Sequence, residues 1–260
     1  MPPLHPFEQL TASRAIPFLT PRCLPSHTHA QLFTVMISAL VHDVDHPGTN
    51  NDFEQKTSSR LALLYNDNSC LENHHLALTF NILALPHYNI FELWWDEERR
   101  EARKLMTNAV LNTDMALHNS LRLDLEARSL KQPAPYNLAR FDDRMELVKI
   151  ILHTADIFNV ARPCPVSVVI SQQVIAEFKN QVTKERALGV PMTPWMVMDS
   201  RLAECEGELG FARYSARPYF AALAAVFPDN PKVNWLRQID ENIVHYSGEI
   251  DRLRAGDETK

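Results

Sequence analysis

The chain has 260 residues, 45% apolar and 22% charged, values of an ordinary folded domain that exclude disordered, collagen-like and disulfide-scaffold classes. The formal net charge is −6, so nucleic acid is not an expected partner. An anionic substrate would need a local positive charge, which a bound metal can supply. Six glycines are too few for hairpins or dinucleotide-binding turns, and helical periodicity dominates.

Residues 1–28 carry Pro2, Pro3, Pro6, Pro17, Pro21 and Pro25 and read as irregular. Helices are predicted over about 29–41, 51–65, 70–85, 90–96, 98–121, 140–156, 167–187, 199–225 and 232–252. Pro47-Gly48 stops the first of them, and Asp67-Asn68-Ser69 and Asp229-Asn230-Pro231 read as turns with helix caps. No linker or repeat divides the chain. The expectation is one all-α domain over 29–255, a multi-helix array rather than a simple bundle, with 1–28 as an irregular amino-terminal part. Cys23, Cys70, Cys164 and Cys205 show no C-x-x-C spacing and read as free thiols of an intracellular protein. The longest apolar run, 33–41, is too short to span a bilayer, and no signal-peptide pattern opens the sequence. A cytoplasmic location is therefore expected.

The segment from His42 to Phe53 concentrates metal-ligand chemistry. His42 and Asp43 are adjacent N and O donors at the end of an apolar helix, and His46 follows one turn later if that helix continues. Imidazole with carboxylate suits zinc, iron or manganese. His153-Thr154-Ala155-Asp156 ends the apolar run 147–152, and Asp156 is a candidate remote carboxylate for the same site. Glu72 sits in a mostly apolar helix, where a carboxylate needs either metal-bound water or a basic partner. His74 and His75 read as packing or supporting residues.

These segments, in this order, resemble the catalytic domain of the class I 3′,5′-cyclic nucleotide phosphodiesterases, within the HD-type metal hydrolases. Residues 42–53 fit the signature H-D-aliphatic-x-H-x-G-x-x-N-x-aromatic at every position. Tyr65-Asn66-Asp67 with Leu71-Glu72-Asn73-His74-His75, Thr113-Asp114-Met115, the His153–Asp156 block with Asn159, Lys184-Glu185-Arg186 and Gly210-Phe211 are similar to the later motifs. Other HD hydrolases, acting on nucleoside triphosphates or alarmones, share the His-Asp pair but not the continuation from His46 to Phe53.

The resemblance implies an all-α fold of that type and hydrolysis of cyclic AMP or cyclic GMP to 5′-nucleoside monophosphates by a metal-bridging hydroxide. It implies two divalent ions, zinc with magnesium or manganese. His42, Asp43 and Asp156 would hold the tighter ion with a histidine from an earlier segment, for which His5 is the best match. His46, Glu72, Thr113 and Asn51 would support the metal waters and the reaction. Asn159, Glu208 and Phe211 would bind the substrate, with Phe211 stacking on the purine. The expected partner is the cyclic nucleotide, and a homodimer is left open.

The sequence also departs from the family. The general-acid histidine belongs four residues before His5, where Met1 stands. Glu208 occupies the position of a purine-reading glutamine; an ionised carboxylate only accepts, so weaker adenine recognition and a relative shift toward guanine are expected. The stretch 191–199 resembles the loop over the pocket mouth; its Met and Trp side chains read as packing or as the lining of an apolar purine slot, with packing slightly favoured. The alternative is a catalytically impaired or non-catalytic scaffold of the same fold, binding metal, nucleotide or a protein partner.

Overall fold

The computed structural model describes residues 28–131, 136–227 and 234–256. His5, Cys23 and the expected turn at 229–231 lie outside them. No strand occurs among the described residues, and the all-α expectation is met. The helices are α1 (Thr28–Val41), α2 (Asn51–Lys56), α3 (Arg60–Tyr65), α4 (Cys70–Leu83), α5 (Asp96–Leu111), α6 (His118–Ser129), α7 (Phe141–Asp156), α8 (Cys164–Leu188), α9 (Arg201–Gly210), α10 (Arg217–Val226) and α11 (Trp235–Arg254). They group into two units. The first takes described residues up to Pro47, with Ser58–His118 and Tyr136–Asp156; the second takes Gly48–Thr57 and the described residues of Asn119–Pro135 and Ile157–Lys260.

In the first unit, α1, α4, α5 and α7 share a core of Val35, Ala39, Leu76, Leu105, Ala109, Val110, Val148, Ile151 and Leu152. The buried face of α1 also carries Thr34 and Ser38, whose hydroxyls donate to the carbonyls of Ala30 and Thr34 one turn back. That satisfies them without a tertiary partner. Phe33, Phe91 and Trp94 form an aromatic cluster with ring centroids 4.8–6.1 Å apart.

In the second unit, α9 and α11 meet around Cys205, Tyr246 and Ile250, with Val168 of α8 against them. α9 runs into α10 through a π-helical stretch, Phe211–Ala216. Pro218 supplies the reason: it has no N–H to give to the carbonyl one turn back, and its ring crowds that carbonyl, so the ladder widens there. Buried Asn242 on α11 donates to the carbonyls of Val160 and Arg162 at 2.8 and 2.9 Å, fixing the 3₁₀ turn Phe158–Ala161 that carries Asn159.

Three predicted helices differ. The helix expected over 51–65 is two: Ser58 has φ +49°, and Ser59 restarts the chain by accepting from the Ala62 amide. Residues 90–95 form turns, with the Asn89 side chain accepting from the Phe91 amide, and α5 starts at Asp96. The helix expected over 98–121 breaks after Leu111, where Asp114 caps a 3₁₀ turn through the Ala116 amide. The 67–69 turn is present, with Asn66, Asp67 and Ser69 at positive φ. However, Ser69 gives its hydroxyl to Asp114 (2.8 Å) instead of capping α4. Cys70, Cys164 and Cys205 are free thiols.

Candidate metal centre

The site begins where α1 ends. The helix stops at Val41 rather than continuing to His46, because Asp45 takes φ +61° and Pro47 follows. His42 is buried, and its Nδ1 lies 2.9 Å from the Ala39 carbonyl. A carbonyl only accepts, so Nδ1 carries a proton, and in the neutral ring Nε2 is the nitrogen left with a lone pair. Nε2 lies 3.1 Å from Asp43 Oδ2 and 3.3 Å from Asp156 Oδ1, yet it makes no hydrogen bond that satisfies the geometry. The three donor atoms all lie within 4.8 Å of one another. The three make a candidate metal-binding cluster of one imidazole and two carboxylates, with His42 oriented by a backbone carbonyl.

The electrostatics agree. Burial opposes charge on His42, but Asp43 and Asp156 reverse this and raise its pKa well above 6.5. Burial alone would raise the Asp43 pKa, yet His42, with His46 and His75, lowers it far below the usual carboxylate range. Asp156 is pushed up by burial, against the pull of His42. A divalent cation would replace the proton that these groups share.

Around this cluster the first unit places several predicted residues. His75 lies 3.9 Å from Asp43 through Nε2, while its Nδ1 donates to the Val44 carbonyl at 2.7 Å. Burial lowers its pKa to about 4, so it is neutral. Exposed His46 stacks on His75 with ring centroids 5.8 Å apart, and His74 pairs with Asp45 at 2.8 Å. Glu72 is buried on the first turn of α4. Thr113 is buried and donates its hydroxyl to the Val110 carbonyl (2.8 Å). Sequence reasoning left His75 as a supporting residue, and only the fold reveals its approach to Asp43.

The second unit holds the remainder. Asn51 opens α2, next to the capping Asn50. Phe211 opens the π-helical stretch and is half-buried. Asn159 Nδ2 donates to Ser171 Oγ (3.1 Å), and Ser171 donates to Glu208 (2.6 Å). Within 191–199, Met196 and Met198 are buried, while Met192 and Trp195 are exposed, with Trp195 edge-on to Phe178 at 5.1 Å.

The family model described as 3′5′-cyclic nucleotide phosphodiesterase matches residues 17–238. The chain belongs to this family. It is 33% identical over 237 residues to the 3′,5′-cyclic-AMP phosphodiesterase 4C of Mus musculus, covering 89% of this chain and 34% of the relative. It is 32% identical over 246 residues to the 3′,5′-cyclic-AMP phosphodiesterase, isoform F, of Drosophila melanogaster, covering 93% and 37%. This phosphodiesterase-family chain thus spans about a third of the length of these curated relatives. Among solved structures, the phosphodiesterase domain of the RhoPDE fusion protein from the choanoflagellate Salpingoeca rosetta matches with a TM-score of 0.89 at 29% identity, covering 96% of this chain and 78% of that one.

Proposed function

We propose that this chain hydrolyses 3′,5′-cyclic nucleotides to 5′-nucleoside monophosphates, with residues 29–255 acting as the catalytic domain. The observation that supports this most is the unpartnered Nε2 of His42, facing Asp43 and Asp156 in a member of this family. The donor set suits a divalent ion of the zinc, magnesium or manganese kind. His42, Asp43 and Asp156 would hold the first ion with His5 as a further ligand, and Asp43 has a second oxygen for another ion. When bound, such ions offset phosphate charge and bring the pKa of water near neutrality, which provides a nucleophile.

The protein's own groups are set for that task. The Ala39 carbonyl keeps His42 in the tautomer with Nε2 open. Asp43, with its lowered pKa, stays ionised at every physiological pH. Thr113 has committed its hydroxyl proton to Val110, so it offers only lone pairs and can accept from water. Glu72 adds a buried acceptor on α4 when ionised, and His46, ring-stacked on neutral His75, completes the polar surround. Asn51 belongs to the same supporting set, and Asn159, Glu208 and Phe211 would take the base.

The curated relatives are named for cyclic AMP, which makes it the first substrate to try. A cytoplasmic setting and a homodimer belong to the same proposal; no helix among the described residues is long and apolar enough to cross a membrane. The test is turnover of cyclic AMP and cyclic GMP with zinc and magnesium supplied. Release of the 5′-monophosphate, lost in Asp156→Ala with helicity retained, is expected. No turnover of either nucleotide by the wild-type chain would contradict the proposal and favour the non-catalytic scaffold.

A further inference from the structure

Gln181 on α8 is buried and takes no part in the proposed chemistry, yet both polar atoms of its side chain are engaged. Oε1 accepts from the Asn50 amide at 2.8 Å. Nε2 donates to Asn50 Oδ1 at 3.0 Å and to Glu185 Oε1 at 2.8 Å, with Thr193 Oγ1 further off at 3.3 Å. These partners fix which way the amide faces: the Asn50 N–H needs an acceptor, and the Glu185 carboxylate needs a donor. Glutamate in this place would lack the donors, and lysine would lack the acceptor.

What Gln181 holds is the start of α2. That helix has six residues, too few to be stable by itself, and residues at positive φ flank it, Gly48 before and Ser58 after. Asn50 caps it by accepting from the Phe53 amide at 2.9 Å. Gln181 grips this cap through both its main chain and its side chain, so the peptide leading into Asn51 is set from α8. The same hub reaches the 191–199 stretch. Glu185 Oε2 accepts from the Thr193 amide and Oε1 from the Thr193 hydroxyl, each at 2.8 Å. From the far end of α2, Lys56 Nζ donates to that hydroxyl at 2.9 Å and pairs with Glu185 at 2.8 Å. A buried ion pair is weak grounds for stability, since apolar residues of the same volume often serve as well. A fully satisfied polar network instead specifies one geometry.

We infer that Gln181 is a positioning residue: with Glu185 it fixes the start of α2, and so Asn51, in register with the 191–199 stretch. The inference rests on the reading proposed above, in which Asn51 supports the reaction. Gln181 does not touch the reacting atoms; it acts through the Asn50-Asn51 peptide. Two consequences separate this from a role in stability alone. Removing the Gln181 amide lowers turnover by the folded protein only while Asn51 is present to be misplaced. It also loosens α2 and 191–199 together, because one side chain joins the two.

The experiment combines two readouts on the full chain with zinc and magnesium supplied. Gln181→Met keeps the side-chain volume and removes the hydrogen bonds. Asn50→Ser keeps a helix cap, gives up the bond to Gln181 Nε2, and serves as the milder cut if the first variant does not fold. The kcat for cyclic AMP is expected to fall about 10–100-fold in Gln181→Met, the range for groups that orient metal-site residues. It should fall no further when Gln181→Met is added to Asn51→Ala. Val182→Ala, a truncation at the next buried position of α8, should lower stability and leave kcat as in the wild type. Hydrogen–deuterium exchange read by mass spectrometry follows 50–56 and 191–199 without needing turnover, and both should exchange faster in Gln181→Met. An unchanged kcat, a loss that adds in full to that of Asn51→Ala, or faster exchange in one segment alone would overturn the inference. A wild-type chain that turns over neither nucleotide would overturn the proposed function and the role given to Asn51; the exchange readout then still decides whether Gln181 joins the two segments.

Discussion

Glu185 on α8 is fully buried and ionised, and replacing its cationic partner exposes how the second unit is held. Lys56 Nζ lies 2.8 Å from Glu185 Oε1 and also donates to Asp52 and Thr193. Gln181 Nε2, the Thr193 amide and the Thr193 hydroxyl each reach the Glu185 carboxylate at 2.8 Å. Gln181 also holds both the amide and the side chain of Asn50, the cap of α2. Breaking a buried pair from one side costs about 3–5 kcal/mol, and the low end, about 3 kcal/mol, fits Lys56→Met because three neutral donors remain. For a chain of this size that lowers the midpoint by about 6–12 °C. The pH dependence has a definite sign. Burial would raise the Glu185 pKa, but Lys56, Gln181 and Thr193 lower it from 4.5 to about 2. Its contribution is therefore complete above pH 4.5 and is lost as pH falls toward 2. Lys56, whose pKa is raised, stays charged throughout this range. Urea unfolding at neutral pH, combined with the Lys56→Met/Glu185→Leu double variant, measures the coupling. A double variant whose cost is the sum of the single costs, or a Glu185→Gln variant with the wild-type acid profile, would refute the reasoning.

Two other perturbations follow from particular contacts. A Cβ at Gly207 would meet Met198 Cε at 2.5 Å, the far end of a flexible side chain that can swing aside, while Ala gains about 1 kcal/mol over Gly inside α9, so Gly207→Ala should leave stability within about 1 kcal/mol of wild type; thermal unfolding checks this, and a loss of about 3 kcal/mol would show that Met198 cannot move. His153 is held neutral by burial and by His118, whose Nδ1 lies 2.9 Å from its Nε2, with a pKa lowered to about 4. Its depressed value means stability falls as pH drops from 6.5 toward 4, and because His75 contributes over the same window, His153→Gln should reduce that slope without abolishing it in denaturant titrations.

The candidate metal cluster was legible because it depends on residue type and order. His42, Asp43 and Asp156 end two apolar helices, and the structure brings their donor atoms together. What the sequence did not reveal was the tautomer of His42, which the Ala39 carbonyl fixes, or the approach of His75 to Asp43, which depends on how α4 packs on α1. The chain 51–65 looked like one helix because its polar stretch 54–60 contains no proline or glycine to mark a break; a single residue, Ser58 at positive φ, divides it. The apolar run at 90–94 looked helical because packing against Phe33 demands the same residue types. For Glu208 the identity was readable, but the hydrogen bond it accepts from Ser171 on another helix was not.

The central claim is that His42, Asp43 and Asp156 hold a metal ion in a working member of this family. The most direct measurement is elemental analysis of the full chain after zinc loading and exhaustive dialysis, alongside Asp156→Ala with its helicity checked by circular dichroism. The account predicts about one retained zinc per wild-type chain and its loss in the variant, since removing one of the carboxylates leaves too few protein ligands for a tight tetrahedral site. A wild-type chain that retains no zinc, or a variant that retains it equally well, would contradict the account.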